Sequence, residues 1–142
     1  MTRRRKVLIT LAAAGAIVLA PFALIFVPQV TGPALPAGAT RLHIATERPN
    51  LNLACAAALL APVRVATSGD ELILVSVESG HTVRVVWPSG FAAWRVAGRA
   101  MLADPWGSVI AWDGDVLVSL GGGGGVGDLF HICPFGIAPR PG

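Results

Sequence analysis

The sequence predicts a mainly β protein: a small closed or partly open β-barrel, with a small β-sandwich as the alternative, preceded by one N-terminal transmembrane helix. Three observations carry this expectation. An unbroken apolar run, Val7 to Val27, stands directly behind Arg3, Arg4, Arg5 and Lys6. From Arg41 onward, short apolar stretches are separated by turn residues, which is the pattern of an all-β unit. Strands that short, repeated at that spacing over about a hundred residues, bury their edges best by curling towards closure.

The first element follows from length. At 1.5 Å per residue the apolar run makes a helix of about 30 Å, the thickness of a bilayer's hydrocarbon core. The basic cluster holds its start on the cytoplasmic side, so Arg3, Arg4, Arg5 and Lys6 are topogenic and everything after Val27 is exported. The competing reading is a cleaved signal peptide and a secreted product. Pro21 would end a shorter apolar core, and Ala37-Gly38-Ala39 offers a small-x-small cleavage site. Beyond the run, Pro28, Pro33 and Pro36 with Gly32 and Gly38 block helix and favour an extended spacer. The organisation expected is a cytoplasmic basic flank (1–6), a signal-anchor helix (7–27), a Pro/Gly linker (28–40), an extracytoplasmic β domain (41–138) and a tail (139–142).

Within the β domain, Leu42 and Ile44 alternate with Arg41, His43 and Ala45. Leu51 to Ala61 is rich in Ala and Leu without β-branching, which predicts one helical segment ending at Pro62. Val63-Arg64-Val65 opens the strand pattern again. Leu72 to Val77, then Val83, Val85 and Trp87, read as a hairpin across the Glu78 to His81 turn. Val109 to Trp112 and Val116 to Leu120 read as a second hairpin, because Asp113-Gly114-Asp115 supplies the positive φ of a tight turn. Arg99 to Leu102 and Leu129 to Cys133 add further strands.

Charge narrows the function. The net charge is +3, and setting aside the four positives at Arg3, Arg4, Arg5 and Lys6 leaves −1 for the remainder. A nucleic-acid surface needs cations clustered in the folded part, and here they are dispersed among the acids, so nucleic acid is not an expected partner. No cofactor is expected. Cys55 and Cys133 are the two cysteines, and export would place both in an oxidising compartment, where an even pair most often forms a disulfide. The rival is a metal site built on His131 and Cys133 with Cys55, His43 or His81, although compact C-x-x-C spacing is absent.

Two stretches carry a resemblance. Val85-Val86-Trp87-Pro88-Ser89-Gly90-Phe91 is similar to a V-W-P-x-G-F signature. Gly107 to Asp115, followed by Leu120-Gly121-Gly122-Gly123, is similar to a G-x-V-V-A-x-x-G-D…L-G-G-G run. Together they resemble small exported or membrane-anchored β domains of actinobacteria, over roughly Val63 to Cys133. The resemblance implies an OB-like barrel and brings no functional residues. Where those domains carry a Cys in the strand occupied here by Glu71 to Leu74, this chain has Cys55 upstream.

Candidate contact residues are few. Trp106 follows Asp104-Pro105 and precedes Gly107, so it sits on a turn, and Trp94 reads as a loop residue beside Phe91. Exposed aromatics on loops bind protein or carbohydrate, or lie at a membrane interface. Trp87 ends an alternating face and belongs to the core. Gly121, Gly122, Gly123, Gly124 and Gly125 read as a flexible or tightly turning connection that lets another backbone approach. Gly122, Gly124 and Gly127 fit G-x-G-x-x-G, yet no helix or βαβ unit can follow in the residues that remain. Ser79 and His81 lack a G-x-S-x-G elbow, and Asp113 and Asp115 are explained by turn chemistry, so no catalytic set is expected. The expected function is a protein-interaction module with an envelope partner. A small-ligand or glycan binder using exposed Trp is the alternative, and a hydrolase is the third reading.

Overall fold

The computed structural model describes residues 21, 23–24, 26–49, 58–124 and 129–139. The topogenic residues Arg3, Arg4, Arg5 and Lys6, most of the 7–27 run, Cys55 and Gly125 lie outside them. Among the described residues no helix is long and apolar enough to cross a membrane. Residues 26–31 are helical, and the rest of the described chain is mainly β.

Eleven strands occur among the described residues: β1 (Thr40–Leu42), β2 (Ala58–Leu60), β3 (Val63–Ser68), β4 (Glu71–Ser76), β5 (Thr82–Val83), β6 (Val85–Val86), β7 (Ala92–Val96), β8 (Arg99–Ala103), β9 (Val109–Trp112), β10 (Val116–Gly124) and β11 (Phe130–Pro139). They form two sheets. The smaller has the order β1-β7-β8-β9, and the larger β5-β4-β3-β10-β11-β6 with β2 also on β10. Neither sheet closes on itself, so the expected closed barrel is not formed.

The physical reason lies at the Asp113–Asp115 turn. Gly114 has the positive φ expected there, +92°, but β9 and β10 do not pair. Asp113 N donates to Ala100 O of β8, so by strand alternation the N–H of Trp112 points away from β8, where a further strand would add. The Asp115 carboxylate takes that N–H at 2.8 Å. The turn therefore hands the chain from one sheet to the other, and Val65 seals the crossing through hydrogen bonds to Gly114 and Asp115. The hairpin expected across Glu78 to His81 does form, between β4 and β5. Its continuation does not: Val85 and Val86 leave β4 and pair in parallel with β11.

One core fills the space between the sheets. Across the small sheet Leu42, Ala93, Leu102 and Ala111 stand in one register row, and all four are buried in the shared cluster. The large sheet contributes Val63, Val65, Leu74, Leu117, Leu120 and Ile132. Trp87, 1 % exposed, and Phe91 stack at 6.0 Å inside it.

Two further expectations are corrected. Ala58–Leu60, expected to end a helix, is strand β2. It lies on the same edge of β10 as β3 and in a continuous register, Leu120↔Leu60 and Leu117↔Val63. Pro62 interrupts the run because it has no N–H for the ladder. The start of the expected linker is not extended either. Residues 28–31 continue the helix, which ends at Gly32 (φ +63°) with Gly32 N donating to Pro28 O at 2.8 Å. That bond, with Pro33 behind it, is the αL way of closing a helix.

Candidate functional site

A cleft of about 620 Å³ lies between three segments of the described chain. One wall is the stretch from Arg41 to Glu47, which continues from β1 through isolated bridges at His43 and Thr46. The second is the Ser89–Ala93 stretch, and the third is the end of the helix at Gln29 to Gly32. The β1 alternation explains the chemistry: Leu42 goes into the core, so Arg41 and His43 share the opposite face. Asp70 is brought beside them because His43 N donates to Asp70 O at 2.7 Å and Leu72 N to His43 O at 3.1 Å. The side chains of Arg41, His43 and Asp70 engage in no hydrogen bond or ion pair among the described residues. The cleft thus offers free charges of both signs beside the apolar Ile44 and Phe91.

Glu47 marks the far end of the cleft and is committed differently. Its main chain is fixed by Glu47 N to Trp87 O at 2.8 Å, while Trp87 N donates to Ala45 O at 2.8 Å. Val86, next to Trp87, pairs with His131. This brings the Glu47 carboxylate within 2.7 Å of His131 Nδ1, which donates to Oε1. A carboxylate on Nδ1 fixes the orientation of the ring. No serine, threonine or cysteine is hydrogen-bonded to that ring among the described residues. Nor do three His, Cys, Asp or Glu side chains assemble as metal ligands there. His131 is thus held against Glu47, while Cys55 of the His131–Cys133 metal arrangement lies outside the described residues.

The expected contact residues are dispersed. Trp106 is on an exposed turn, as expected, and is 58 % exposed. Its turn is rigid: Asp104 Oδ1 accepts from Trp106 N at 2.9 Å and from Ser108 N at 2.8 Å. Trp94 is a correction. It is a β7 residue, 3 % exposed, in a register row Arg41, Trp94, Met101, Trp112 across the small sheet. Both faces of β7 carry buried apolar residues, Ala93 on one and Ala92 and Trp94 on the other, so its sequence shows no clean alternation, and Trp94 packs with Met101 in a second cluster. Gly121 to Gly124 are also corrected, since they are β10 strand paired with β2 and β11 rather than a loose connection. At Gly122 a Cβ would collide with the His131 carbonyl and the Phe130 ring, so glycine there serves close backbone approach. Cys133 is buried in β11; the pairing with Cys55 falls outside the described residues.

Sequence reasoning passed over Arg41 and Asp70 as dispersed charges and weighed His43 only as a ligand of the rival metal site. The available signal was the i, i+2 spacing of Arg41 and His43 in an alternating strand. The placing of Asp70 had none, because it depends on a bridge between His43 and Glu71. No family model, no curated protein and no solved structure matches this chain.

Proposed function

We propose that this is a single-pass membrane protein whose exported β domain is an interaction module of the cell envelope, taking an extended polar segment of a partner protein in the Arg41–Asp70 cleft. The observation that supports it is the cleft itself, with free Arg41, His43 and Asp70 beside Ile44 and Phe91. Charges of both signs over apolar surface suit a peptide, whose side chains and backbone present the same mixture. The export half of the reading rests on the Val7 to Val27 run and its basic flank. Export carries with it a Cys55–Cys133 disulfide, worth roughly 4–5 kcal/mol in the chain-entropy treatment.

Photocrosslinking in intact cells tests the reading. A photoreactive residue at Arg41 should give one discrete protein adduct, and the same residue at Val118, exposed on β10, should give none. Adducts of equal pattern from both positions would defeat it. A second reading, a small polar ligand, is favoured by the third wall at Gln29 to Gly32, which narrows the cleft. It would be preferred if protein extracted from membranes carried a small molecule that Arg41→Ala loses.

A further inference from the structure

We infer that the turn bearing Trp106 rests on the outer surface of the bilayer, with the indole at headgroup level and Val27, Val30 and Leu35 beside it. The inference rests on the proposed retention of the 7–27 span and adds to it a fixed orientation of the domain against lipid.

The end of the helix and the Trp106 turn meet at one residue. Gly90 has φ +86°, and a Cβ on it would lie 2.7 Å from Pro28 O, 2.9 Å from Gln29 Cα and 3.0 Å from Pro105 Cβ. Ser89 Oγ donates to Gln29 O at 2.7 Å, and a Cβ on Gly107 would lie 3.7 Å from Pro33 Cβ. Residues 28–33 are therefore seated on the domain, between the 88–90 and 105–107 turns. The chain that would emerge from the membrane does not hang free before reaching the β domain. It carries the Trp106 turn with it.

What that end exposes is apolar and uncharged. Val27, Val30, Leu35 and Trp106 are each more than half exposed. No charged residue or histidine occurs between Lys6 and Arg41, and no charged residue between Asp104 and Asp113. The Asp104 carboxylate is itself engaged by two backbone N–H groups of its own turn. An apolar patch of this kind marks a contact surface. Lipid is the occupant because the chain itself would enter the bilayer there, and because a Trp with one polar edge partitions to the headgroup level.

The test uses the full-length protein in phospholipid vesicles whose acyl chains carry bromine just below the headgroups. Trp87 and Trp94 are buried, so contact quenching reports on Trp106 and the half-buried Trp112, and Trp106→Phe separates the two. Strong quenching is expected, and it should be lost in Trp106→Phe and weakened in Leu35→Asp, with circular dichroism unchanged in both. Equal quenching in wild type and Trp106→Phe overturns the inference. Alkaline extraction of the same vesicles reports the span separately. Protein that stays in the pellet with Trp106 unquenched overturns the inference and leaves the span standing, whereas release into the supernatant overturns both. Concentration-dependent shielding of Trp106 in detergent would show that a second copy covers the patch, and would likewise overturn it.

Discussion

The two sheets are built in different ways from the same kind of residue. In the small sheet β7, β8 and β9 form a meander of chain neighbours with one register shift, between Leu102 and Ala103, and β1 adds to it through the row Leu42, Ala93, Leu102 and Ala111. The large sheet has neighbour pairings too, β3–β4–β5 and β10–β11, but it joins them through segments distant in sequence: β10 holds β2 and β3 on one edge, and β11 takes β6 in parallel. Its β10–β11 seam shifts register twice, between Leu117 and Ser119 and again between Leu120 and Gly122. Short connections cost little loop-closure entropy, so a meander is fixed by local pattern. Long-range pairing has to be secured by particular contacts, and here Trp87 and Gly122 supply them.

The largest expected effect comes from Trp87→Ala. Trp87 is buried against Phe91 and ties residues 45–47 to β6 through two backbone hydrogen bonds. Removing the indole should cost about 3–5 kcal/mol, read as a fall in the urea midpoint at constant slope. A loss below about 1 kcal/mol would mean that the seam does not depend on it. Gly122→Ala should act next, at about 1–3 kcal/mol from overpacking against the His131 carbonyl and the Phe130 ring. Hydrogen exchange sharpens the comparison here. Amides of β10 and β11 should lose protection while those of β7 and β8 keep theirs; uniform loss would show that the sheets do not differ in this way.

The same division explains what was legible in the sequence. The β4–β5 hairpin follows a turn whose residues announce it, Glu78 to His81. The positive φ of Gly114 was legible too, but the sheet that the next strand joins was not, because a turn fixes direction and not partner. Pro28 read as a spacer because proline opposes helix in general, whereas its carbonyl accepts the Gly32 N–H that closes one. The glycine run looked like a hinge on composition alone. Its close approach to Phe130 and His131 of the next strand was hidden because glycine carries no strand signal of its own. Of the candidate site, the exposed Trp106 turn could be read from Asp104-Pro105 and Gly107. The cleft could not, since its three walls come from residues 29–32, 41–49 and 89–93 and close only in the fold.

The smallest effect is expected at the boundary between the sheets, from Asp115→Ala. The Asp115 carboxylate occupies the Trp112 N–H that faces outward from β9, the exposed edge of the small sheet. An exposed hydrogen bond of this kind contributes about 1 kcal/mol, so the denaturation midpoint should move little. The consequence for association should be larger than for stability. With its cap removed, β9 presents the apolar sequence Val109-Ile110-Ala111-Trp112 beside a free donor, which is what an edge strand needs to recruit another. Sedimentation velocity should therefore show the variant associating at concentrations where the parent does not. A variant that loses stability yet stays monomeric would assign Asp115 to the turn alone, and the separation of β9 from β10 would then have to come from the path of the chain through Gly114 and Val65.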